Sequence, residues 1–201
     1  MINQKLMLFI DWQNFYNGAR RSFFSNSDNY VYGQIKPFEL GNLICSRAPQ
    51  GCTYKLEQVR VYTGRPDSTK EPKAYAANSK QSNAWEKSGA VIVARQLRYP
   101  QDWPHSHAEE KGVDVALAID FISFAIDHMY DVGVIASTDT DLKPALEFVN
   151  HRCYPEIHSE VAAWYSSRSR SRLSIANHNI WCYWLKKADY DAIADLTDYT
   201  M

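Results

Sequence analysis

Leu6-Met7-Leu8-Phe9-Ile10-Asp11-Trp12-Gln13-Asn14-Phe15-Tyr16 is the stretch on which the fold turns. Five consecutive apolar residues end at a carboxylate. A short apolar run with no polar alternation suits a strand covered on both faces, as at the centre of a parallel sheet. Past Asp11 the period changes. Phe15, Tyr16, Ala19 and Phe23 recur at helical spacing, which predicts a helix over 13–24. A buried strand running straight into a helix opens a β-α-β unit and leaves Asp11 at the carboxyl end of the strand.

The alternation continues down the chain. Residues 56–62, 90–97, 132–136 and 154–158 read as strands. Residues 37–45, 71–87, 113–129 and 142–150 read as helices, with Pro37 and Pro144 in first turns and Gly89 as a stop signal. The run 113–129 is apolar nearly all round, which predicts a buried helix. Residues 164–172 and 189–196 are expected to be helical as well. The sum is an α/β chain with a mostly parallel central sheet of about five strands, covered on both faces. No repeat or interior linker interrupts it. Residues 1–160 are expected to form the main domain, and 161–201 a C-terminal extension packed on it.

Composition narrows the classes. The 201 residues carry 22 Lys and Arg against 23 Asp and Glu, a formal net charge of -1. Any nucleic-acid surface must therefore be local, since no global basic excess supplies it. Hydrophobic residues at 45% exclude a disordered chain. Thirteen Tyr and six Trp provide ring faces that stack on bases as readily as they fill a core. Cys45, Cys52, Cys153 and Cys182 form no Cys-x-x-Cys pair and fit no zinc template. The N-terminal apolar run is too short for a signal peptide, and no stretch approaches the ~18 residues of a membrane span. The expectation is a soluble cytoplasmic protein with free thiols and no membrane partner.

In an open parallel sheet, ligands bind outside the carboxyl ends of the strands. Asp11 ends the first strand, Asp139 and Asp141 follow the strand at 132–136, and Asp114 opens the helix at 113–129. If the first and fourth strands are neighbours, four carboxylates converge. Any one of them alone reads as a helix cap. All four at strand ends read as a site. Crowded carboxylates raise one another's pKa unless a cation relieves them. All-oxygen donors favour Mg²⁺ or Mn²⁺ over zinc, and such an ion suits phosphodiester hydrolysis. The chain has no P-loop, no dinucleotide fingerprint, no nucleophile elbow and no Asp-x-Asp after the first strand.

Three segments carry a family resemblance. They are Leu8-Phe9-Ile10-Asp11-Trp12-Gln13-Asn14-Phe15-Tyr16, then Glu110-Lys111-Gly112-Val113-Asp114-Val115-Ala116-Leu117-Ala118-Ile119-Asp120, then Val134-Ile135-Ala136-Ser137-Thr138-Asp139-Thr140-Asp141-Leu142-Lys143-Pro144. In order and separation the chain resembles the NYN domain, a relative of the PIN-like nucleases, in its LabA-like bacterial branch. The resemblance spans residues 6–150 and fades after 160. It implies a PIN-like Rossmannoid three-layer sandwich and a metal-dependent ribonuclease acting on RNA. It places the catalytic and metal-binding centre on Asp11, Asp114, Asp139 and Asp141. It gives Asn14 the orienting of a ligand or water, and Ser137 a hydrogen bond to phosphate. Thr138 stands where the family often has Gly and narrows the approach to the centre. Leu142 stands where the family often has Phe.

Other residues keep two readings. Asp120 matches a family Asp but lies about 240° round the helix from Asp114, which favours a structural role. Lys111 reads equally as a phosphate contact or a surface ion pair. Arg168, Arg170 and Arg172, beside Trp164 and Tyr165, read equally as a phosphate-tracking patch or a solvated face. Two rivals to the ribonuclease stay open: a non-catalytic RNA- or protein-binding module, and a DNA nuclease or phosphatase on the same acidic centre. A homodimer is the assembly considered.

Overall fold

The computed structural model describes residues 3–201. The chain runs β1 (Asn3–Asp11), α1 (Trp12–Phe23), α2 (Pro37–Cys45), β2 (Thr53–Arg65), α3 (Pro72–Lys87), β3 (Ala90–Gln96), α4 (Val113–Ile126), β4 (Val132–Ala136), α5 (Lys143–Arg152), β5 (His158–Trp164), β6 (Cys182–Leu185) and α6 (Lys187–Ile193). One 3-10 turn, Thr140–Leu142, leads into α5. All six strands are parallel, in the order β3-β2-β1-β4-β5-β6. That is the order of a doubly wound Rossmann-type sheet, whose direction of winding reverses between β1 and β4.

The apolar run in β1 is central because both of its faces are buried. Leu6, Leu8 and Ile10 pack with Phe15 of α1, Leu40 of α2 and Trp85 of α3. Met7 and Phe9 pack on the other face with Leu117 and Phe121 of α4 and Leu146 of α5. Phe9 is fully buried among the rings of Tyr62, Phe121, Phe124 and Tyr130. Truncating such a side chain to Ala costs about 3–5 kcal/mol.

Several sequence expectations need correction. The sheet has six strands, one more than the approximate count of five. The missed strand is β6, only four residues long. The expected strand at 154–158 begins at His158 instead, because Tyr154-Pro155 sits in a turn and Pro155 has no N–H for a ladder. The expected helix at 164–172 is absent. Trp164 ends β5, and Ser166 Oγ then accepts the backbone N–H groups of Arg168 and Ser169, each at 3.1 Å. A side chain that takes local amides in this way diverts the backbone from a helix. The last helix is Lys187–Ile193 rather than 189–196. Helix α4 is only half buried: Val115, Ile119 and Ile126 face outward, Ile119 at 58% exposure. An all-round apolar pattern does not reveal which stripe meets the sheet. Residues 161–201 complete β5, add β6 at the sheet edge beside it, and add α6, which packs with α2. The four cysteines are free.

Candidate functional site

Register decides where the chemistry gathers. Ile10 pairs with Ala136 across β1 and β4, so the next residues, Asp11 and Ser137, leave the sheet side by side at its carboxyl edge. Asp11 is 7% exposed. It occupies the N-cap position of α1 without making a capping bond. Its carboxylate instead accepts a hydrogen bond from Ser137 Oγ at 2.8 Å. Burial pushes its pKa up to about 6. The Ser137 hydroxyl and the backbone N–H of Asn14 pull it back in part, while Asp139 and Asp114 push it further. Burial is the larger cause, and the neighbouring charges add to it.

A cavity of about 330 Å³ opens there, lined by Asp11, Asn14, Asn17, Arg21, Glu110, Asp114 and Asp139 among others. Asp114 lies in the first turn of α4 behind Gly112, the residue at the helix N-cap. Gly112 has φ +73, a left-handed conformation that favours glycine and turns the chain from Glu110 into α4. Asp139 caps the 3-10 turn by accepting the Asp141 N–H at 3.0 Å. Asp141 is exposed and lies outside the cavity lining, touching the centre only through that amide.

Glu110 takes the fourth acidic place on the cavity wall, a position that sequence reasoning missed although the residue opens the segment Glu110–Asp120. It accepts the Gly64 N–H at 2.5 Å. Burial raises its pKa, with Asp11 and Asp114 adding to the rise. A Cβ at Gly64 would stand 2.4 Å from Leu97 Cδ2 and 2.6 Å from Glu110 Oε1, so only glycine lets this carboxylate approach. Asn17 and Arg21 were missed as well. They follow Asn14 at the i+3 and i+7 spacing of one helix face, which is the signal that could have found them.

The remaining predicted residues are placed as follows. Asn14 Oδ1 accepts both the Thr138 N–H at 3.0 Å and the Thr138 hydroxyl at 3.1 Å, leaving Nδ2 as its uncommitted end. Ser137 is 1% exposed, donates to Asp11 and accepts the Asp139 N–H at 3.0 Å. It braces two carboxylates rather than facing a phosphate. Lys111 pairs with Glu109 at 3.2 Å on the exposed surface, outside the cavity. Asp120 accepts hydrogen bonds from Arg60 and Tyr62, each at 2.8 Å, away from the centre. The segment carrying Arg168 and Arg170 reaches the site's rim, since Ser169 lines a narrow slot with Asn14, Arg21 and Thr138. Arg168 and Arg170 are exposed, whereas Arg172 donates to the Ile180 carbonyl at 2.7 Å and turns inward.

The donor chemistry fits a hard divalent cation. Asp11, Glu110, Asp114 and Asp139 are all-oxygen ligands, and among the described residues none of them is in an ion pair. Arg21 is the single basic residue on the cavity wall. Among the described residues, no three acidic, His or Cys side chains already stand at chelating distance. Binding an ion therefore requires side-chain rotation.

The NYN domain family model matches residues 5–163. A solved structure of a protein of unknown function from Vibrio parahaemolyticus is similar at TM-score 0.52 and 16% identity, over 80% of this chain and 81% of that one. At that identity the likeness concerns the fold. No curated protein matches.

Proposed function

The chain belongs to the NYN domain family, whose fold is that of the PIN-like nucleases, and from that premise we propose that it is a metal-dependent ribonuclease of the LabA-like branch. The observation that carries the reading is the meeting of Asp11, Glu110, Asp114 and Asp139 around one cavity, with no Lys or Arg among the described residues in an ion pair with them, at the point where the sheet reverses. These four residues would hold Mg²⁺ or Mn²⁺. When bound, the ion supplies a Lewis acid for phosphodiester hydrolysis. In the metal-free protein burial raises the pKa of Asp11 to about 6, and a bound cation would relieve that and hold the carboxylate ionised. Asn14 Nδ2 orients substrate or water. Arg21 meets a phosphate oxygen with a charge-assisted hydrogen bond. Ser137 and Thr138 keep Asp11 and Asn14 in place. Asp141 steadies Asp139 through its backbone amide. Arg168 and Arg170 extend the phosphate-binding surface along the rim.

We place this activity in the cytoplasm. No helix among the described residues is long and apolar enough to cross a membrane. A homodimer through α4 belongs to the same proposal. Val115, Ile119 and Ile126 form an exposed stripe, and an antiparallel pairing of two copies sets Lys111 at one end against Asp127 at the other.

The test is incubation of the pure protein with labelled RNA and DNA in Mg²⁺, Mn²⁺ or EDTA. The proposal expects RNA cleavage that EDTA abolishes and either metal restores. Cleavage of DNA alone favours the DNA nuclease. Cleavage of neither polymer favours the binding module.

A further inference from the structure

Helix α1 has a second working face. Asn14, Asn17 and Arg21 line the acidic cavity, while Trp12 and Tyr16 line a different one, of about 320 Å³, between α1 and α3. Tyr30 and Tyr199 complete its aromatic walls. Trp12 is held against Trp85, with ring centroids 4.5 Å apart, and its other neighbour is Tyr16 at 5.8 Å.

The polar groups of this cavity are amides. Gln34 is 5% exposed, and its Oε1 accepts Gln81 Nε2 at 2.7 Å. Asn78 Nδ2 donates to the Gly64 carbonyl at 3.4 Å, which fixes its orientation because only the NH₂ end can serve a carbonyl. Asn78 Oδ1 is buried with no hydrogen-bond partner among the described residues. A buried acceptor left unpaired is uncommon and marks a place for a donor. Flat rings beside carboxamides that neither carry nor attract charge suit a planar, uncharged heterocycle with N–H groups on its edge. Stacking supplies affinity for such a ring, and an Asn side chain reads its edge.

The two cavities share a wall. Asp11 and Trp12 are consecutive. Gly64 gives its N–H to Glu110 on the acidic side and its carbonyl to Asn78 on the aromatic side. The same short runs of chain, Asp11–Trp12 and Gly64, therefore border both the acidic and the aromatic cavity. The outer wall comes from the C-terminal segment, beyond the residues matched by the family model. Tyr30 bonds Asp198 and, at 3.1 Å, Thr200, while Tyr199 bonds Asp195 at 2.8 Å.

We infer that the Trp12–Tyr16–Asn78 cavity is a nucleobase subsite that seats one base of the substrate strand beside the scissile phosphodiester. The inference rests on the ribonuclease reading, which makes a nucleotide the expected neighbour. The test titrates the ¹⁵N-labelled protein in EDTA with nucleoside 5′-monophosphates and with ribose 5-phosphate, following the Trp12 indole resonance assigned through Trp12→Phe. Nucleotides should move it saturably and ribose 5-phosphate should not. Ala77→Trp, which fills the cavity, should abolish the shift. Asn78→Ala should weaken binding at least fivefold, and it serves alone if Ala77→Trp does not fold. An equal shift with ribose 5-phosphate, no shift with any nucleotide, or undiminished binding by Asn78→Ala overturns the subsite. RNA cleavage in Mn²⁺ is scored separately. Cleavage without base binding removes the subsite alone, and base binding without cleavage removes the nuclease alone.

Discussion

Replacing Asp11 by Asn separates the cost of the acidic centre from its use. Asn keeps the shape of the side chain, and its Oδ1 still accepts the Ser137 hydroxyl, so the substitution removes charge and little else. The folded-state pKa of about 6 lies about 2 units above the ordinary carboxylate value of ~3.9. Two units correspond to ~3 kcal/mol of strain from holding the ionised group in its buried site. The sign follows from linkage. The fold favours the protonated form, so the advantage of protonation is complete below ~3.9 and is lost as pH rises through about 6. In EDTA at neutral pH, Asp11→Asn should therefore be more stable than the parent by up to ~3 kcal/mol. For a chain of this length that raises the melting temperature by roughly 6–12 °C. The gap should shrink toward zero near pH ~4. Saturating Mn²⁺ should narrow it at neutral pH, since a hundredfold excess over Kd stabilises the metal-binding parent by ~2.7 kcal/mol. RNA cleavage by the variant should fall more than tenfold, over ~1.4 kcal/mol of transition-state stabilisation. Circular-dichroism melts across this pH range are the assay. A lower melting temperature for Asp11→Asn in EDTA at neutral pH, or a difference that does not change with pH, would refute the reasoning.

Calorimetry of Asp139→Asn should show Mn²⁺ affinity reduced at least tenfold, and unchanged affinity removes Asp139 from the ligand set. Replacing Arg168 and Arg170 by Ala should flatten the log-log salt dependence of RNA binding by about one to two units; an identical slope leaves them a solvated face. Gly64→Ala should cost about 1–3 kcal/mol from overpacking against Leu97 and Glu110, read as a lower urea midpoint with the same m-value. Ile119→Glu on the exposed face of α4 should convert a dimer to a monomer in sedimentation velocity, and an unchanged sedimentation coefficient rejects that interface.

The elements that place the acidic centre were legible because each was marked twice. The run Leu6–Ile10 announced a strand by its apolar continuity, and the shift to helical spacing after Asp11 fixed where it ended. Strand β4 and helix α2 were bounded as expected, by Ser137-Thr138-Asp139 and by Pro37. The C-terminal part was marked only once or not at all. Strand β6 is short and half exposed, so its alternation does not rise above that of a loop. The Ser/Arg run after Trp164 looked helical by composition, but Ser166 takes its backbone amides. Within the site, strand-end position found Asp11, Asp114 and Asp139. It could not show that Asp141 would be spent on its amide and that Glu110, from a loop, would enter through the space left at Gly64. That exchange depends on contact between β2 and the loop before α4, which no local pattern encodes.

The place of β1 in the sheet also shapes how the chain is made. It precedes both of its sheet neighbours in the chain and is one of the two central strands, flanked by β2 and β4. Val132, where β4 begins, follows Asp11 by 121 residues. At a translation rate of about 5–20 residues per second, β1 waits roughly 6–24 s for its second neighbour. Until β2 is made both edges of Leu6–Ile10 lack a partner strand, and from then until β4 is made one edge still does. An apolar edge of this kind recruits strands from other nascent chains. A chaperone that shields β1 until β4 has been made should improve the recovery of folded protein.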